Sequence, residues 1–441
     1  MHKMPEKKPA YTHQRPAMVA IYAAIAAFLT YTMIFGFRKS FAVCIFNGVT
    51  VFGMNYKTVL VISQMLGYMA AKFYGIKYIS ELRRIGRGKI ILLLVGISWV
   101  SWLLFAIVPV PYNIIFLFVN GFPLGMLWGV VFSYVEGRRS TDFIGAALAV
   151  SFIFASGFVK TVGGWLLLEL QLSEFWVPFV TGLVFALPLL VFVWMMERIP
   201  APDDQDKLER MERLPMSAEK RKDLIKMFLP GIITCILIYT FVTIFRDIRD
   251  NFSADMWKEM GYLNQPVLFS KTETPITIVI LIVIGSMTLL RKNFTAFMLN
   301  HLIIVAGFVL AGVCTWLFSK NGVQPFWWMT LTGLGLYMVY IPFNAVFFER
   351  MISSFRFTGN VGFLIYIADS FGYLGSVAVL FSKEIFKVQL NWVQFFSNSV
   401  MVLSVAGVVL TAYSAFYFWR KERRMFGVEK EERISSAVNG V

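Results

Sequence analysis

Apolar residues run along this chain in long blocks, not in the alternation of a half-buried strand or the narrow stripe of a surface helix. The blocks lie at about 17–47, 57–79, 89–109, 111–135, 142–170 and 175–196, then at about 227–250, 272–290, 294–318, 325–348, 358–382 and 392–419. A helix needs roughly 20 apolar residues to cross the hydrocarbon layer, so the pattern predicts an all-α membrane protein of twelve spans, numbered 1 to 12 here. Between spans 6 and 7 runs a charged stretch from Glu197 to Lys226, with Pro200, Pro202, Asp203, Asp204, Arg210, Lys220 and Arg221. The predicted organisation is a tail at 1–16, a six-helix domain at 17–196, a linker at 197–226, a second six-helix domain at 227–419 and a basic tail at 420–441. The first block is too long for the apolar core of a cleaved signal, so it is expected to stay as span 1.

Composition agrees with this pattern. Of 441 residues, 58% are hydrophobic and 15% are charged, against about 25% charged in soluble domains. The bilayer must therefore act as part of the solvent. A net charge of +15 would suit nucleic acid, but the basic residues sit in short loops, so lipid is the expected partner and nucleic acid is not. One set of ends carries Lys3, Lys7, Lys8 and Arg15, then Arg83, Arg84, Arg87 and Lys89, then Arg138 and Arg139, the linker, Arg291 and Lys292, and Arg350 and Arg356. At the other ends, Pro109 to Tyr112 has no charge and the loop after span 5 has only Glu174. The positive-inside rule places both termini and the linker in the cytoplasm.

Six spans, a charged linker and six more is the layout of a transporter built from two structural repeats around a central site. The repeat is visible in the residues. Tyr31-Thr32 precedes Phe37-Arg38 by the spacing at which Tyr239-Thr240 precedes Phe245-Arg246, and both offsets are 208 (239 − 31 and 246 − 38). Seven residues are two helical turns, so the tyrosine and the arginine should share a face in both helices. An arginine deep in a span costs roughly 2.5–3.5 kcal/mol on insertion scales and usually faces a cavity or a partner. Two such arginines on opposing helices repel unless a doubly charged anion lies between them, and guanidinium forks suit phosphate oxygens. The alternative is that each arginine pairs with a carboxylate and merely holds helices together. Arg246 has Asp247 and Asp250 beside it, while Arg38 has no acid nearby in its own span. Lys72, the first charge after fourteen uncharged residues, is either a third cation for the anion or a side chain that reaches the cytoplasmic interface.

At these residues the sequence resembles the organophosphate:phosphate antiporters of the major facilitator superfamily, the glycerol-3-phosphate and hexose-phosphate transporters. Phe37-Arg38-Lys39-Ser40-Phe41-Ala42 is similar to that family's helix 1 segment, Phe245-Arg246 with Trp257-Lys258-Glu259 to its helix 7 region, and Ala71-Lys72-Phe73 to its helix 2 lysine segment. Leu117 to Phe122, with Gly125-Met126 and Trp128, is similar in spacing to its helix 4, and Val162-Gly163-Gly164 to the end of its helix 5. The resemblance implies a major facilitator fold in a bacterial inner membrane. It also implies a phosphate clamp of Arg38 and Arg246 assisted by Lys72, with Tyr31 and Tyr239 beside it, and exchange driven by a phosphate gradient. The chain departs from the pattern too. The loop after span 2 has Ile79 and Arg83 where the superfamily carries Gly and Asp, so its inner gate should be built differently. The family's helix 5 histidine is replaced by Ala155-Ser156-Gly157, with Lys160 nearby.

Lys160 in span 5 and Asp369 in span 11 suggest an ion pair between the two domains. The alternatives are satisfaction of each within its own half, or Asp369 as a proton carrier. Arg249, near the end of span 7, is expected to be a salt-bridge or gate residue. Glu136 and Glu349, followed by Arg138 and Arg350, are expected at gates or interfaces. His301 is expected to be a satisfied polar residue, and Gly121, Gly125 and Gly129 to allow close helix approach. The three cysteines read as core residues, and no metal spacing, P-loop or nucleophile elbow occurs, so no cofactor, metal or enzymatic activity is expected. The expected function is secondary active transport, by a monomer, of a small organic anion, a phosphorylated metabolite exchanged for phosphate. Two alternatives stay open: a proton-coupled symporter of a carboxylate or sugar acid, with Asp369 or Asp247 titrating, and a membrane sensor of the same fold.

Overall fold

Among the described residues, twelve long helices form where the apolar blocks predict them. The computed structural model describes residues 16–80, 86–135, 138, 140–201, 206, 218–262, 264–357, 361–387 and 390–438. In the first half these are α1 (Pro16–Gly36), α2 (Tyr56–Ser80), α3 (Arg87–Ile107), α4 (Ile115–Phe132), α5 (Thr141–Glu169) and α6 (Val177–Glu197). In the second they are α7 (Ala218–Asn251), α8 (Val267–Thr288), α9 (Asn293–Ser319), α10 (Pro325–Pro342), α11 (Val361–Ile385) and α12 (Trp392–Val438). Among the described residues, eleven helices are long and apolar enough to cross a membrane. The twelfth, α2, is an apolar helix of 25 residues that carries Lys57, Lys72 and Lys77.

Each half packs on itself. In the first, α1 lies against α5 and α6, α2 against α4, and α3 against α4 and α6. In the second, α7 lies against α10, α11 and α12, and α9 against α10 and α12. Among the described residues, the halves meet chiefly along α5 with α8 and α2 with α11. The chain is thus an all-α, multi-span membrane protein of two six-helix bundles. α1 begins at what we call the near end, so α5, α7 and α11 run from near to far and α2 runs back.

α2 and α4 approach closely at two glycines. A Cβ added at Gly67 would lie 2.2 Å from the Phe118 carbonyl oxygen, and one at Gly121 would lie 2.3 Å from that of Gln64. Small residues let two backbones touch where lipid supplies no hydrophobic drive to associate. Gly67→Ala is therefore expected to push the helices apart and destabilise the protein by about 1–3 kcal/mol, the usual cost of overpacking. Thermal unfolding in detergent measures this. Gly96→Ala, with nothing within 4 Å of its new methyl, is the control and should melt as the wild type does.

The largest departure from expectation is in span 1, which does not continue as helix to residue 47. α1 stops at Gly36, a short 3₁₀ turn follows at Ser40–Val43, and β1 (Thr50–Val51) pairs antiparallel with β2 (Met54–Asn55) in a small hairpin. Irregular backbone at membrane depth survives only if its polar groups find partners inside the protein. Here they do. The Phe37 carbonyl accepts hydrogen bonds from Trp102 Nε1 at 2.6 Å and Asn120 Nδ2 at 3.0 Å. The Arg38 carbonyl accepts from Gln64 Nε2 at 3.0 Å, and that of Ala42 from Lys57 Nζ at 3.0 Å. The Ile45 and Phe46 N–H groups donate to the Glu174 carboxylate at 2.7 and 2.8 Å. The first half thus spends Gln64, Trp102, Asn120 and Glu174 on holding open the turn that carries Arg38.

Other boundaries move for local reasons. α7 starts at Ala218, inside the expected linker, with non-helical backbone at Phe228 just before Pro230. α10 gives way after Pro342 to a π turn at Phe343–Phe347 and then a helix at Phe348–Ser354. A proline cannot donate to the ladder, which favours such a slip. α12 continues as helix through the expected basic tail to Val438. Cys44, Cys235 and Cys314 are buried and free. His301 is buried and satisfied, with Nδ1 2.9 Å from the Phe297 carbonyl and Nε2 3.0 Å from Ser414 Oγ.

Candidate functional site

Arg38 sits on the unwound turn, so its side chain leaves the helix and meets Tyr68, which packs on Tyr373 of the other half. It is half-buried, with its guanidinium carbon 4.1 Å from the centre of the Tyr68 ring and 5.6 Å from that of Phe35. Among the described residues it has no ion pair and its Nε is buried without a hydrogen-bond partner; the nearest carboxylate to act on it, Asp247, is bonded to Arg246. Arg246, its repeat mate, differs. α7 runs unbroken past it to Asn251, and its guanidinium is hydrogen-bonded to the carboxylate of the next residue, Asp247. Ser376 Oγ donates to the other oxygen of Asp247 at 3.1 Å, and Tyr340 stacks 4.1 Å from the Arg246 guanidinium. The expected symmetric clamp of two free arginines is therefore corrected: Arg246 is neutralised within its own half, because Asp247 adjoins it and α11 fixes that carboxylate.

The two arginines are connected through one face of α11. Tyr366, Asp369, Tyr373 and Ser376 recur at spacings of three and four, which places them on one stripe. Tyr373 packs on Tyr68 across the seam, with ring centres 5.0 Å apart. Asp369 holds Lys72 of α2 at 2.9 Å and accepts a hydrogen bond from the Tyr239 hydroxyl. Lys72 Nζ also lies 5.5 Å from the rings of both Tyr68 and Tyr366. Lys72 thus does not reach for the interface; it is buried in an ion pair between the halves. Among the described residues, Tyr31 has no acid partner as Tyr239 does: its buried ring packs at tilted angles against Phe35 and Phe152, and its hydroxyl lies toward Tyr68 and Arg38.

The expected Lys160–Asp369 pair is not formed, and depth explains why. Both helices run from the near end, but Lys160 lies 19 residues into α5 (160 − 141) and Asp369 only 8 into α11 (369 − 361). At 1.5 Å per residue these are roughly 28 and 12 Å along their axes. Lys72 lies 8 residues from the near end of α2 (80 − 72), level with Asp369. Lys160 instead meets Asp250 at 2.7 Å, and Lys39 reaches the same carboxylate at 2.8 Å. Ser156 also donates to Asp250, Lys39 reaches Asn251 Oδ1 at 2.7 Å, and Lys160 reaches Ser253 Oγ at 3.2 Å. A neighbouring pair joins Lys57 to Asp255 at 2.5 Å. In each pair the lysine comes from the first half and the acid from the second, so the far end is tied shut. Lys39, Lys57 and Asp255 were not singled out from the sequence. Lys57 and Asp255 sit at helix ends, where a charge reads as loop chemistry, and Lys39 reads as a companion of Arg38.

Arg249 ties helices within the second half. It pairs with Glu273 of α8 at 2.7 Å and donates to the Met329 carbonyl. Glu349 lines a small near-end cleft with Asn293, Val346, Arg350 and Ser353. Glu136 lies outside the described residues. At the near end of the first half, Glu197 accepts from the Gly88 N–H at 2.7 Å and from the Tyr134 hydroxyl at 2.6 Å. A carboxylate at the start of α3 complements its dipole. Glu197 thereby occupies a position of the kind an acid in the preceding loop would otherwise fill.

Breaking the inner seam is expected to cost function. Asp369→Asn leaves Lys72 charged and buried without its partner, and removing one member of a buried pair costs about 3–5 kcal/mol. Solute uptake should fall at least tenfold and the melting temperature should drop. Lys72→Gln combined with Asp369→Asn should recover most of the stability, so a double-mutant cycle in melting temperature and uptake measures the coupling.

A family model covers residues 40–421. The chain belongs to DUF5690, a family of unknown function. No curated protein matches the sequence of this DUF5690 chain. Solved structures do match its fold. A proton-dependent oligopeptide transporter superposes with a TM-score of 0.62 at 15% identity, over 92% of this chain and 99% of the other. The nucleoside transporter NupG gives 0.57 at 14%, over 91% and 99%. A bacterial homologue of the human lysosomal transporter Spinster, inward-facing and unoccupied, gives 0.54 at 13%, over 92% and 97%. The DUF5690 chain therefore has the major facilitator fold.

Proposed function

We propose that this protein is a secondary active transporter that carries a small organic anion across the membrane by alternating access, with Arg38 engaging the anion's charge. The observation that carries this is the guanidinium of Arg38, held on an unwound turn at the seam of two bundles and left without a counter-ion among the described residues. Such a charge is stable in a low-dielectric setting only if something else neutralises it. The six-helix bodies at about 17–196 and 227–419 would rock about this site. The far end is the outer one by the distribution of basic loops, so the ion pairs there close the outer gate.

The first candidate cargo is a phosphorylated metabolite exchanged for inorganic phosphate, on the strength of the Phe37–Ala42 and Phe245-Arg246 segments. A second class, proton-coupled symport of a carboxylate or sugar acid, is favoured by the two carboxylates at the site, Asp247 and Asp369. Proteoliposomes separate the two. Vesicles loaded with phosphate should take up labelled phosphate if the protein is an exchanger, and Arg38→Ala vesicles should not. Failure of exchange, together with uptake of a labelled carboxylate driven by an imposed pH gradient, would establish the symporter. Failure of both in folded protein would reject transport through Arg38.

A further inference from the structure

The charges on the two sides of the central site do not balance, and the surplus is one. Arg38, Lys72 and Arg246 are the cations on this face; Asp247 and Asp369 are the anions. Lys72 is matched by Asp369 at 2.9 Å. Arg246 is matched by Asp247, which Ser376 also holds from α11 at 3.1 Å. Arg38 alone is unmatched among the described residues. A second surplus charge exists in the far-end cluster, where Lys39 and Lys160 share Asp250. It is closed off, because those three residues are 4%, 2% and 7% exposed and are also held by Asn251, Ser156 and Ser253.

We propose that the anion bound at Arg38 carries a single negative charge, and that Asp247 sets this selectivity by cancelling the charge of Arg246. This rests on the reading of Arg38 as the anion-binding residue. A monoanion brings the site to neutrality. A dianion leaves a net negative charge between desolvated walls of Tyr68, Tyr340 and Tyr373, where uncompensated charge is expensive. Arg246 then acts as a hydrogen-bond donor whose charge is already spent, and Asp247 is a positioning residue that touches no substrate. The compatible chemistries are a carboxylate, a phosphodiester, or phosphate in its dihydrogen form. A phosphate monoester, the first candidate cargo, fits only in its singly protonated, monoanionic form, not as the dianion. The asymmetry between halves is what the inference draws on: the repeat places an arginine in each, and only the second carries an acid immediately after it.

Methanesulfonate and sulfate form a suitable pair of probes, since both present sulfonate-type oxygens and keep charges of one and two across the neutral range. Thermal unfolding of the purified protein is followed as each is titrated at constant ionic strength, and the shift in Arg38→Ala is subtracted to remove the general stabilising effect of sulfate. The wild type is expected to reach half its shift at a methanesulfonate concentration at least tenfold below that for sulfate. Asp247→Asn is expected to reverse the order, because the site then has a surplus of two. A purely structural role for Asp247 would lower both melting curves and leave the ratio alone. Preference of the wild type for sulfate, or an unchanged ratio in folded Asp247→Asn, overturns the inference. If Asp247→Asn does not fold, the wild-type ratio decides. No Arg38-dependent shift with either anion would reject Arg38 as the anion-binding residue, which is a distinct result.

Discussion

Arg38→Ala is expected to lose at least 30-fold of anion uptake while melting no lower than the wild type. Both parts come from the same geometry. The guanidinium has no ion pair or side-chain hydrogen bond to lose among the described residues, so truncation removes a desolvated charge and two ring contacts rather than a helix tie. The turn itself is held by backbone contacts to Trp102, Asn120 and Gln64, none of which involves the side chain of Arg38. Binding is another matter. A buried, charge-assisted contact of this kind is worth about 2–5 kcal/mol, which is roughly 30- to 4,000-fold in affinity. Arg38→Lys should rescue little, since a point charge on a flexible stem neither forks onto two oxygens nor stacks on Tyr68 as a plane does. Uptake and melting temperature measured on the same preparations check this. A large fall in melting temperature with wild-type uptake would mean that Arg38 serves the fold.

Asp250→Asn is expected to open the far end. One carboxylate ties Lys39 and Lys160 of the first half to α7 of the second, at 2.8 and 2.7 Å, and all three side chains are nearly inaccessible. Its removal leaves two lysines facing each other across the seam. Breaking a single buried pair costs about 3–5 kcal/mol, so even the low end moves a two-state equilibrium more than 100-fold. The closed arrangement should give way to one in which water reaches the lysines. Spin labels replacing Leu170 and Val267, both exposed near the far ends of α5 and α8, report the distance between halves. A longer distance in Asp250→Asn, with loss of uptake, is the expected outcome. An unchanged distance would show that Lys57–Asp255 and the contacts of Glu384 with Asn55 and Thr58 hold the far end without Asp250.

Much of this architecture was legible in one dimension. Block length counts spans, because the thickness of the bilayer is a fixed ruler. The Tyr-Thr and Phe-Arg repeat marks the duplication and places one arginine in the first span of each half, on the turn after α1 in one and within α7 in the other. The loops rich in arginine and lysine predict an orientation, and the glycines of α2 and α4 announce a close crossing that the structure contains.

Pairing was not legible, and for a physical reason. Helical period and block edges set the face and approximate depth of a side chain on its own helix. They do not set which helix lies opposite, or how far it is rotated and slid. Lys160 and Asp369 occupy matching spans of the two halves, yet they differ by some 16 Å in depth at 1.5 Å per residue. Only the packing of α2 on α11 and of α5 near the end of α7 assigned Lys72 to Asp369 and Lys160 to Asp250. The unwinding of α1 was hidden for the same reason: nothing between Gly36 and Phe46 forbids a helix, and the partners that make its absence affordable lie on α2, α3 and α4 and after α5. The residues alone determined that this chain crosses the membrane as two related bundles with an arginine in each. Tertiary contacts decided that one arginine is spent on its neighbour and the other is left free.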